Sequence, residues 1–175
     1  MSAPRVFLTG FMGSGKSSVG RALADALGWL FIDLDSAVEA HAGMSVREIF
    51  ERSGEPAFRE LEHAALLDAV KAPEPAVIAT GGGTFTIPRN VALVRQSGVS
   101  VWLNPSFATI VARIGGLGKQ DRPLFRSEVE ALALYRARLA SYHRADHRVD
   151  VAGDETPGEV AARIALRLRK DRAVP

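Results

Sequence analysis

The segment with the clearest chemical meaning lies near the start of the chain, at residues 10–17. It reads Gly-Phe-Met-Gly-Ser-Gly-Lys-Ser and fits the pattern G-x-x-x-x-G-K-[ST] at every position. Glycines in such a loop let backbone N–H groups converge on phosphate oxygens, and the helix that follows adds partial positive charge. Lys16 would reach the β- and γ-phosphates, and the Ser17 hydroxyl would bind Mg²⁺. The pattern predicts a nucleoside triphosphate site, and we refer to residues 10–17 as the P-loop.

Two carboxylates, Asp33 and Asp35, follow the next apolar run. Because residues two apart on a strand share a face, we expect both to point toward the phosphates, one at the metal and one at an acceptor. Capping of the next helix by Asp35 is the alternative. The chain has no Asn-Lys-x-Asp segment of the GTPase type. Its third apolar run ends in Thr-Gly-Gly-Gly rather than in the aspartate expected of an ATPase.

Two further segments have one functional and one purely structural interpretation. Gly81–Gly83 directly follows an apolar run, so its backbone N–H groups could approach a polar ligand closely, or it could form a wide turn. Arg59 and Glu62 lie three apart on a predicted helix, where an exposed ion pair is the structural alternative.

A basic segment late in the chain also has two interpretations. Residues 115–126 include Lys119, Arg122 and Arg126 but show no periodicity. The segment is either a mobile loop with an arginine that closes over transferred phosphate, or a solvated surface loop.

The elements that must position these residues alternate between short apolar runs and amphipathic stretches. We predict strands at residues 5–9, 29–32, 76–79, 99–103 and 148–151. We predict helices at 16–27, in three pieces between 36 and 70 broken near Gly43 and Gly54, and at 88–96, 105–114, 127–144 and 156–170. This alternation is typical of parallel strands with crossover helices on both faces.

Composition excludes several other classes of protein. The 175 residues suit one domain, and 22 Lys and Arg against 20 Asp and Glu give a net charge of +2, which argues against a polybasic nucleic-acid or membrane surface. With no cysteine, disulfides, zinc–thiolate sites and thiol catalysis are excluded. The apolar run at residues 6–8 is too short for a signal segment, and no stretch is long enough to span a membrane. We therefore expect a cytoplasmic protein.

Taken together, these segments resemble the shikimate kinase family. The matching pieces occur in family order over nearly the whole chain, at residues 10–16, 33–35, 58–62, 81–83, 122–124 and 138–142. The resemblance implies an α/β three-layer sandwich with the P-loop NTPase fold, in which helices flank a five-stranded parallel sheet. It also implies a single domain over residues 1–175, with a helical substrate-binding region at about 34–70 and a lid at about 115–126.

The resemblance implies an activity as well. Enzymes of this family transfer the γ-phosphoryl group of ATP to the 3-hydroxyl of shikimate, giving shikimate 3-phosphate and ADP on the way to chorismate and the aromatic amino acids. Mg²⁺ is the implied cofactor and ATP the co-substrate. We expect a monomer with no nucleic-acid or membrane partner.

The resemblance also assigns site residues. The implied catalytic residues are Lys16, Asp35 and Arg122, and the implied metal ligands are Ser17 and Asp33. The implied nucleotide-binding residues are Gly13, Ser14, Gly15, Lys16, Ser17, Ser18, Arg113 and Arg122. The implied substrate-binding residues are Asp35, Phe58, Arg59, Gly81, Gly82, Gly83 and Arg138, with Phe50 as a second apolar wall.

The chain departs from the family pattern at two places. The usual Arg-x-Pro-Leu-Tyr is Arg138-Leu-Ala-Ser-Tyr142 here, without its proline, so Arg136 remains an alternative to Arg138. The segment at 115–121 is longer than is usual, which leaves Lys119 without a role.

Two other functions stay open on the sequence. One is phosphorylation of another small metabolite such as gluconate, against which the aspartates, Arg59 and the glycine triplet argue. The other is a nucleotide-responsive binding module that has lost kinase activity, against which Lys16, Ser17 and Arg122 argue.

Overall fold

A five-stranded parallel sheet forms the centre of the computed structural model, which describes residues 3–115, 127–171 and 174. The strands are β1 (Arg5–Thr9), β2 (Leu30–Asp33), β3 (Ala76–Ala79), β4 (Val99–Pro105) and β5 (His147–Val151), in the order β2-β3-β1-β4-β5. Of the three inner strands, β1 and β3 are buried at every position. They are short, largely apolar runs, as expected of parallel strands covered on both faces.

Seven helices of the described residues cover this sheet. They are α1 (Lys16–Leu27), α2 (Leu34–Ala42), α3 (Val46–Lys71), α4 (Pro88–Ser97), α5 (Phe107–Gly115), α6 (Glu128–Tyr142) and α7 (Pro157–Lys170). A single 3₁₀ turn at Thr84–Thr86 follows the glycine triplet. Gly54 has φ 76° and ψ 175° and breaks α3 into two segments. Helix α2 and these two segments are the three helical pieces that the sequence predicts between β2 and β3.

The side chains of the sheet alternate between two apolar cores. Val6 and Leu8 pack on one face with residues of α1 and α7, whereas Phe7 packs on the other with residues of α3, α4, α5 and α6. A third, smaller cluster of Val38, Ile49 and Phe58 joins α2 to α3. The predicted three-layer sandwich with a parallel sheet is confirmed.

The expectation that Asp33 and Asp35 share the face of one strand is wrong. Asp33 ends β2, and its side chain caps α2 by accepting hydrogen bonds from the backbone N–H groups of Asp35 (3.1 Å) and Ser36 (3.3 Å). Asp35 therefore lies in the first turn of a helix, and strand alternation does not place the pair. The cap is Asp33 rather than Asp35, because a carboxylate just before a helix can satisfy the free N–H groups of its first turn.

Other boundaries differ by one or two residues. Strand β2 starts and ends one residue later than predicted, and β4 extends to Pro105, which delays α5 to Phe107. The predicted lid lies outside the described residues except for Gly115, which ends α5. Within the described ranges, no helix has the length and apolarity needed to cross a membrane.

Candidate functional site

The loops that follow β1, β2 and β3 meet at the carboxyl edge of the sheet, the edge at which open α/β folds bind ligands. A cleft of about 540 Å³ opens there, lined by the P-loop, Asp33, Asp35, Gly82 and Arg113. Its far wall comes from the connection between β5 and α7, including Gly153 and Glu155. The sequence-predicted nucleotide residues of the described part of the chain all line this cleft.

The P-loop is shaped by glycines that no other residue could replace without strain. Gly10, Gly13 and Gly15 have φ values of 144°, 75° and 94°. A methyl group at Gly10 would lie 2.6 Å from the carbonyl oxygen of Leu103. Helix α1 begins at Lys16, whose Nζ donates to the carbonyls of Gly10 and Phe11 at 2.9 Å each. An ammonium group and a helix N-terminus therefore face the same loop, an arrangement suited to a polyphosphate.

Two oxygen donors that could bind a cation meet where the P-loop ends. The Ser17 hydroxyl donates a 2.5 Å hydrogen bond to Oδ2 of Asp33, while Oδ1 of Asp33 caps α2. Among the described residues no group of three or more His, Cys, Asp or Glu side chains could hold a metal ion by itself. Mg²⁺ usually takes one or two carboxylates together with substrate phosphates and water, so this set fits a magnesium ion that arrives with a nucleotide.

Asp35 has the properties of a proton acceptor. Asp35 is an exposed residue at the cleft, and the atoms that surround its carboxyl group on the other sides still desolvate it. This desolvation and the negative charges of Glu62, Asp33 and Glu39 outweigh the attraction of Lys16 and raise the pKa of Asp35 to about 6. A carboxylate with a pKa near neutrality can take a proton from a bound hydroxyl under working conditions.

The pair of Arg59 and Glu62 is not the exposed ion pair of the structural alternative. Arg59 Nη1 lies 3.0 Å from Glu62 Oε2, and the side chains are 11% and 0% exposed. Glu55 accepts from Arg59 Nη2 at 2.8 Å, so the guanidinium is held between two carboxylates. Removing two charges from water costs free energy that their mutual attraction does not fully return. Such a pair is therefore not explained by helix stabilisation, and it indicates another role.

The glycine triplet lies against the charged side chains. A methyl group at Gly81 would overlap Glu62 Oε1, and one at Gly83 would overlap the Arg59 guanidinium. A methyl group at Gly82 would lie 3.3 Å from Nη1 of Arg138. The triplet is therefore more than a wide turn, because a side chain at Gly81 or Gly83 would displace Glu62 or Arg59.

Burial distinguishes the two candidate arginines of α6. Arg138 is buried, with its guanidinium carbon 6.0 Å from the centre of the Phe11 ring, whereas Arg136 is exposed. The Tyr142 hydroxyl donates to the Gly82 carbonyl at 2.6 Å. Burial raises the pKa of Tyr142 to about 12 against the opposing charge of Arg138, so the phenol stays protonated. Arg138 thus lies beside the triplet.

The remaining predicted residues of the described part of the chain lie near Arg59 or at the nucleotide end of the cleft. The rings of Phe50 and Phe58 have centroids 4.8 Å apart, and the Arg59 guanidinium lies 5.2 Å from the Phe58 ring centre. Arg113 Nη1 donates to the carbonyl of Ser14 at 3.4 Å, at the nucleotide end of the cleft, and Ser18 lines the same end. Arg122 lies outside the described residues.

Sequence reasoning missed two parts of the site. Glu62 belongs to a matched segment, but its burial depends on the distant Thr84, whose hydroxyl donates to it at 2.6 Å. The β5–α7 connection was also missed, although it follows the carboxyl end of a strand, which is a general ligand position. There Glu155 accepts from the Ala152 N–H at 2.7 Å and from Arg163 at 2.6 Å.

The sequence matches one family over most of its length. The profile of the family described as shikimate kinase matches residues 12–169. A shikimate kinase from Geobacter sulfurreducens is 45% identical, with 97% of this chain and 96% of that protein covered.

Solved structures agree with this match. A shikimate kinase from Acinetobacter baumannii, solved in complex with shikimate, has a TM-score of 0.90 at 29% identity and covers 97% of this chain and 94% of its own. A shikimate kinase from Aquifex aeolicus has a TM-score of 0.80 at 34% identity, covering 96% and 98%.

Proposed function

The chain belongs to the shikimate kinase family, and from this premise we propose that it transfers the γ-phosphoryl group of ATP to the 3-hydroxyl of shikimate. The products are shikimate 3-phosphate and ADP. The observation that carries the proposal is the position of the arginines Arg59 and Arg138 against the glycine triplet, next to a proton-accepting Asp35 and the P-loop.

The two arginines fit the carboxylate of the acceptor. Guanidinium groups bind carboxylates through paired, charge-assisted hydrogen bonds, and both groups are held in place by neighbours before any ligand binds. Phe50 and Phe58 supply an apolar wall for a carbon ring, while Asp35 and the triplet backbone face its hydroxyl groups. A small ring that carries one carboxylate and several hydroxyls matches this set of contacts.

Each residue of the site has a separate role in the transfer step. Asp35 aligns the 3-hydroxyl and takes its proton as the hydroxyl oxygen bonds to the γ-phosphorus. The bond from that phosphorus to the β–γ bridging oxygen breaks, and ADP leaves with the electron pair. The P-loop N–H groups and Lys16 stabilise the charge on the phosphate oxygens, which is the main catalytic contribution in a loose transition state. Arg122, in the proposed lid at about 115–126, would add a second positive charge.

We assign the metal and nucleotide contacts within the same proposal. Ser17 and Asp33 would hold Mg²⁺ with the nucleotide phosphates, and the bound ion would neutralise developing negative charge. Arg113 would stack on the base. Residues 34–70 would form the substrate-binding region of a single domain, and the enzyme would work as a cytoplasmic monomer.

An acceptor panel tests this function against the two alternatives. Purified protein with ATP and Mg²⁺ is assayed for ADP formation with shikimate, with gluconate and without an acceptor. We expect turnover with shikimate only. Faster turnover with gluconate would indicate another small-metabolite kinase. Equal turnover in all three reactions would contradict any acceptor kinase, and nucleotide binding without turnover would indicate the binding module.

A further inference from the structure

Thr84 connects the glycine triplet to the buried carboxylate behind Arg59. It is the first residue after the triplet and has no exposed surface. Its hydroxyl donates a 2.6 Å hydrogen bond to Oε1 of Glu62, whose other oxygen accepts from Arg59 at 3.0 Å. Each oxygen of this fully buried carboxylate therefore has one donor, a charged one on Arg59 and a neutral one on Thr84.

The Thr84 backbone is held from the opposite side. Nδ2 of Asn90, a fully buried side chain in α4, donates to the Thr84 carbonyl at 3.3 Å. Because the nitrogen of that amide is the donor, its oxygen is the acceptor, and His63 Nδ1 lies 2.6 Å from this oxygen. The geometry assigns the hydrogen to His63 Nδ1. A continuous line of hydrogen bonds thus runs from His63 through Asn90 and Thr84 to Glu62.

The buried carboxylate has little freedom once these bonds form. Gly81 leaves just enough space for Glu62 Oε1, since a single added methyl group there would overlap it. A buried acceptor that loses its donor bears the full cost of its desolvation, and this cost is larger for a charged group. Without the Thr84 hydroxyl, Glu62 would have to turn to find another donor, and Arg59 would turn with it.

We propose that Thr84 is a positioning residue for acceptor binding, whose hydroxyl holds Glu62 in the orientation that aims Arg59, with Asn90 and His63 holding Thr84. The proposal rests on the proposed function in one respect, namely that Arg59 binds the carboxylate of the acceptor. Thr84 itself acts through Glu62 and not on the reacting atoms.

Three substitutions at one position test the proposal. Thr84→Val keeps the shape and removes the hydroxyl, Thr84→Ala removes it without a branched side chain, and Thr84→Ser keeps it. We expect the KM for shikimate to rise about tenfold in Thr84→Val and Thr84→Ala, on the scale of one lost donor to a buried charge. We expect the KM for ATP to change less than twofold, and Thr84→Ser to restore the shikimate KM.

Two further readouts separate positioning from loss of structure. Thermal unfolding shows which variants are folded at the assay temperature, and if Thr84→Val is not, Thr84→Ala replaces it. Calorimetric titration with shikimate gives the Kd directly, and we expect the same tenfold weakening there. An unchanged shikimate KM and Kd in the folded variants, or an equal rise in the KM for ATP, would overturn the proposal.

A different result would contradict the proposed function. If the unaltered chain shows no turnover with shikimate and no shikimate binding, the function is contradicted and the role of Thr84 falls with it. If the unaltered chain turns over shikimate and the hydroxyl-free variants match it, only the role of Thr84 is contradicted.

Discussion

The Tyr142 hydroxyl donates a 2.6 Å hydrogen bond to the Gly82 carbonyl, although the two residues are 60 positions apart in sequence. Tyr142 is the last residue of α6, and Arg138 lies one turn earlier on the same helix. The bond therefore joins the helix that carries one proposed carboxylate-binding arginine to the glycine triplet. The backbone of the triplet and the position of Arg138 depend on each other through it.

Tyr142→Phe removes this hydrogen bond and keeps the ring. We expect the KM for shikimate to rise several-fold, because Gly82 and Arg138 lose a common anchor, and the free energy of unfolding to fall by about 1 kcal/mol. Steady-state kinetics and urea unfolding measure both. Tyr135→Phe is the matched control on α6, since the Tyr135 ring packs on Phe11 and Phe107. Equal effects of the two substitutions would contradict the role of Tyr142.

Arg138 and Arg136 offer a second matched comparison, two residues apart on one helix. We expect Arg138→Ala to raise the KM for shikimate at least tenfold, since it removes charge-assisted hydrogen bonds worth about 1.5–3 kcal/mol. Arg136→Ala removes an exposed charge and should leave both KM values nearly unchanged. The reverse pattern in steady-state kinetics would show that Arg136 is the carboxylate-binding residue.

Local pattern was enough to predict the sheet, the P-loop and the edge at which the site lies. The P-loop is one contiguous segment, and its shape depends on its own glycines and lysine. Its eight residues are therefore enough to predict both its conformation and its ligand. The parallel sheet follows from apolar runs alternating with helices, because short strands of this kind must be buried on both faces.

The features of the site that the sequence could not predict depend on contacts between distant segments of the chain. The spacing of Arg59 and Glu62 is the same for an exposed pair and a buried one, and only the packing of Gly81 and Thr84 against Glu62 distinguishes them. Capping of α2, which the sequence offers as an alternative role for Asp35, belongs to Asp33, because β2 ends one residue later than predicted. A shift that small decides whether a carboxylate caps a helix or lies in its first turn.

The raised pKa of Asp35 predicts that the activity falls at acidic pH. Its pKa of about 6 lies above its ordinary value of 3.8, so the group is protonated, and unable to accept a proton, below about pH 6. We expect kcat/KM for shikimate, which reports groups of the protein before shikimate binds, to fall about tenfold per pH unit below 6 and to level off above it. Nucleotide affinity over the same range is the control. A profile that is flat through pH 5 would contradict a proton-accepting Asp35.

The same raised pKa affects stability, which Asp35→Asn can test. Between pH 3.8 and about 6 the folded chain binds a proton that the unfolded chain has lost, so the free energy of unfolding decreases as pH rises through this interval. We expect Asp35→Asn to abolish turnover yet to melt at a higher temperature than the parent at pH 8, with a smaller difference at pH 4. A lower melting temperature at pH 8 would contradict a carboxylate that is destabilised by desolvation and by neighbouring negative charges.

Gly83→Ala tests the close approach of the triplet to Arg59. The added methyl group overlaps the guanidinium, so Arg59 must move away from Glu62. We expect the shikimate KM to rise by more than tenfold while nucleotide affinity stays within twofold. Gly43→Ala, at the end of α2, is the control for a glycine with open space around it, although its φ of 66° costs some stability. A normal shikimate KM in Gly83→Ala would contradict the claim that the close approach of Gly83 fixes the position of Arg59.

The central claim is that this chain phosphorylates shikimate, and ³¹P nuclear magnetic resonance of the complete reaction tests it most directly. With purified protein, ATP, Mg²⁺ and shikimate, we predict a new phosphomonoester signal, coupled to the proton on carbon 3 of the ring, that grows in a one-to-one ratio with ADP. ADP that accumulates with inorganic phosphate and without a phosphomonoester, or at the same rate when shikimate is left out, would contradict the claim.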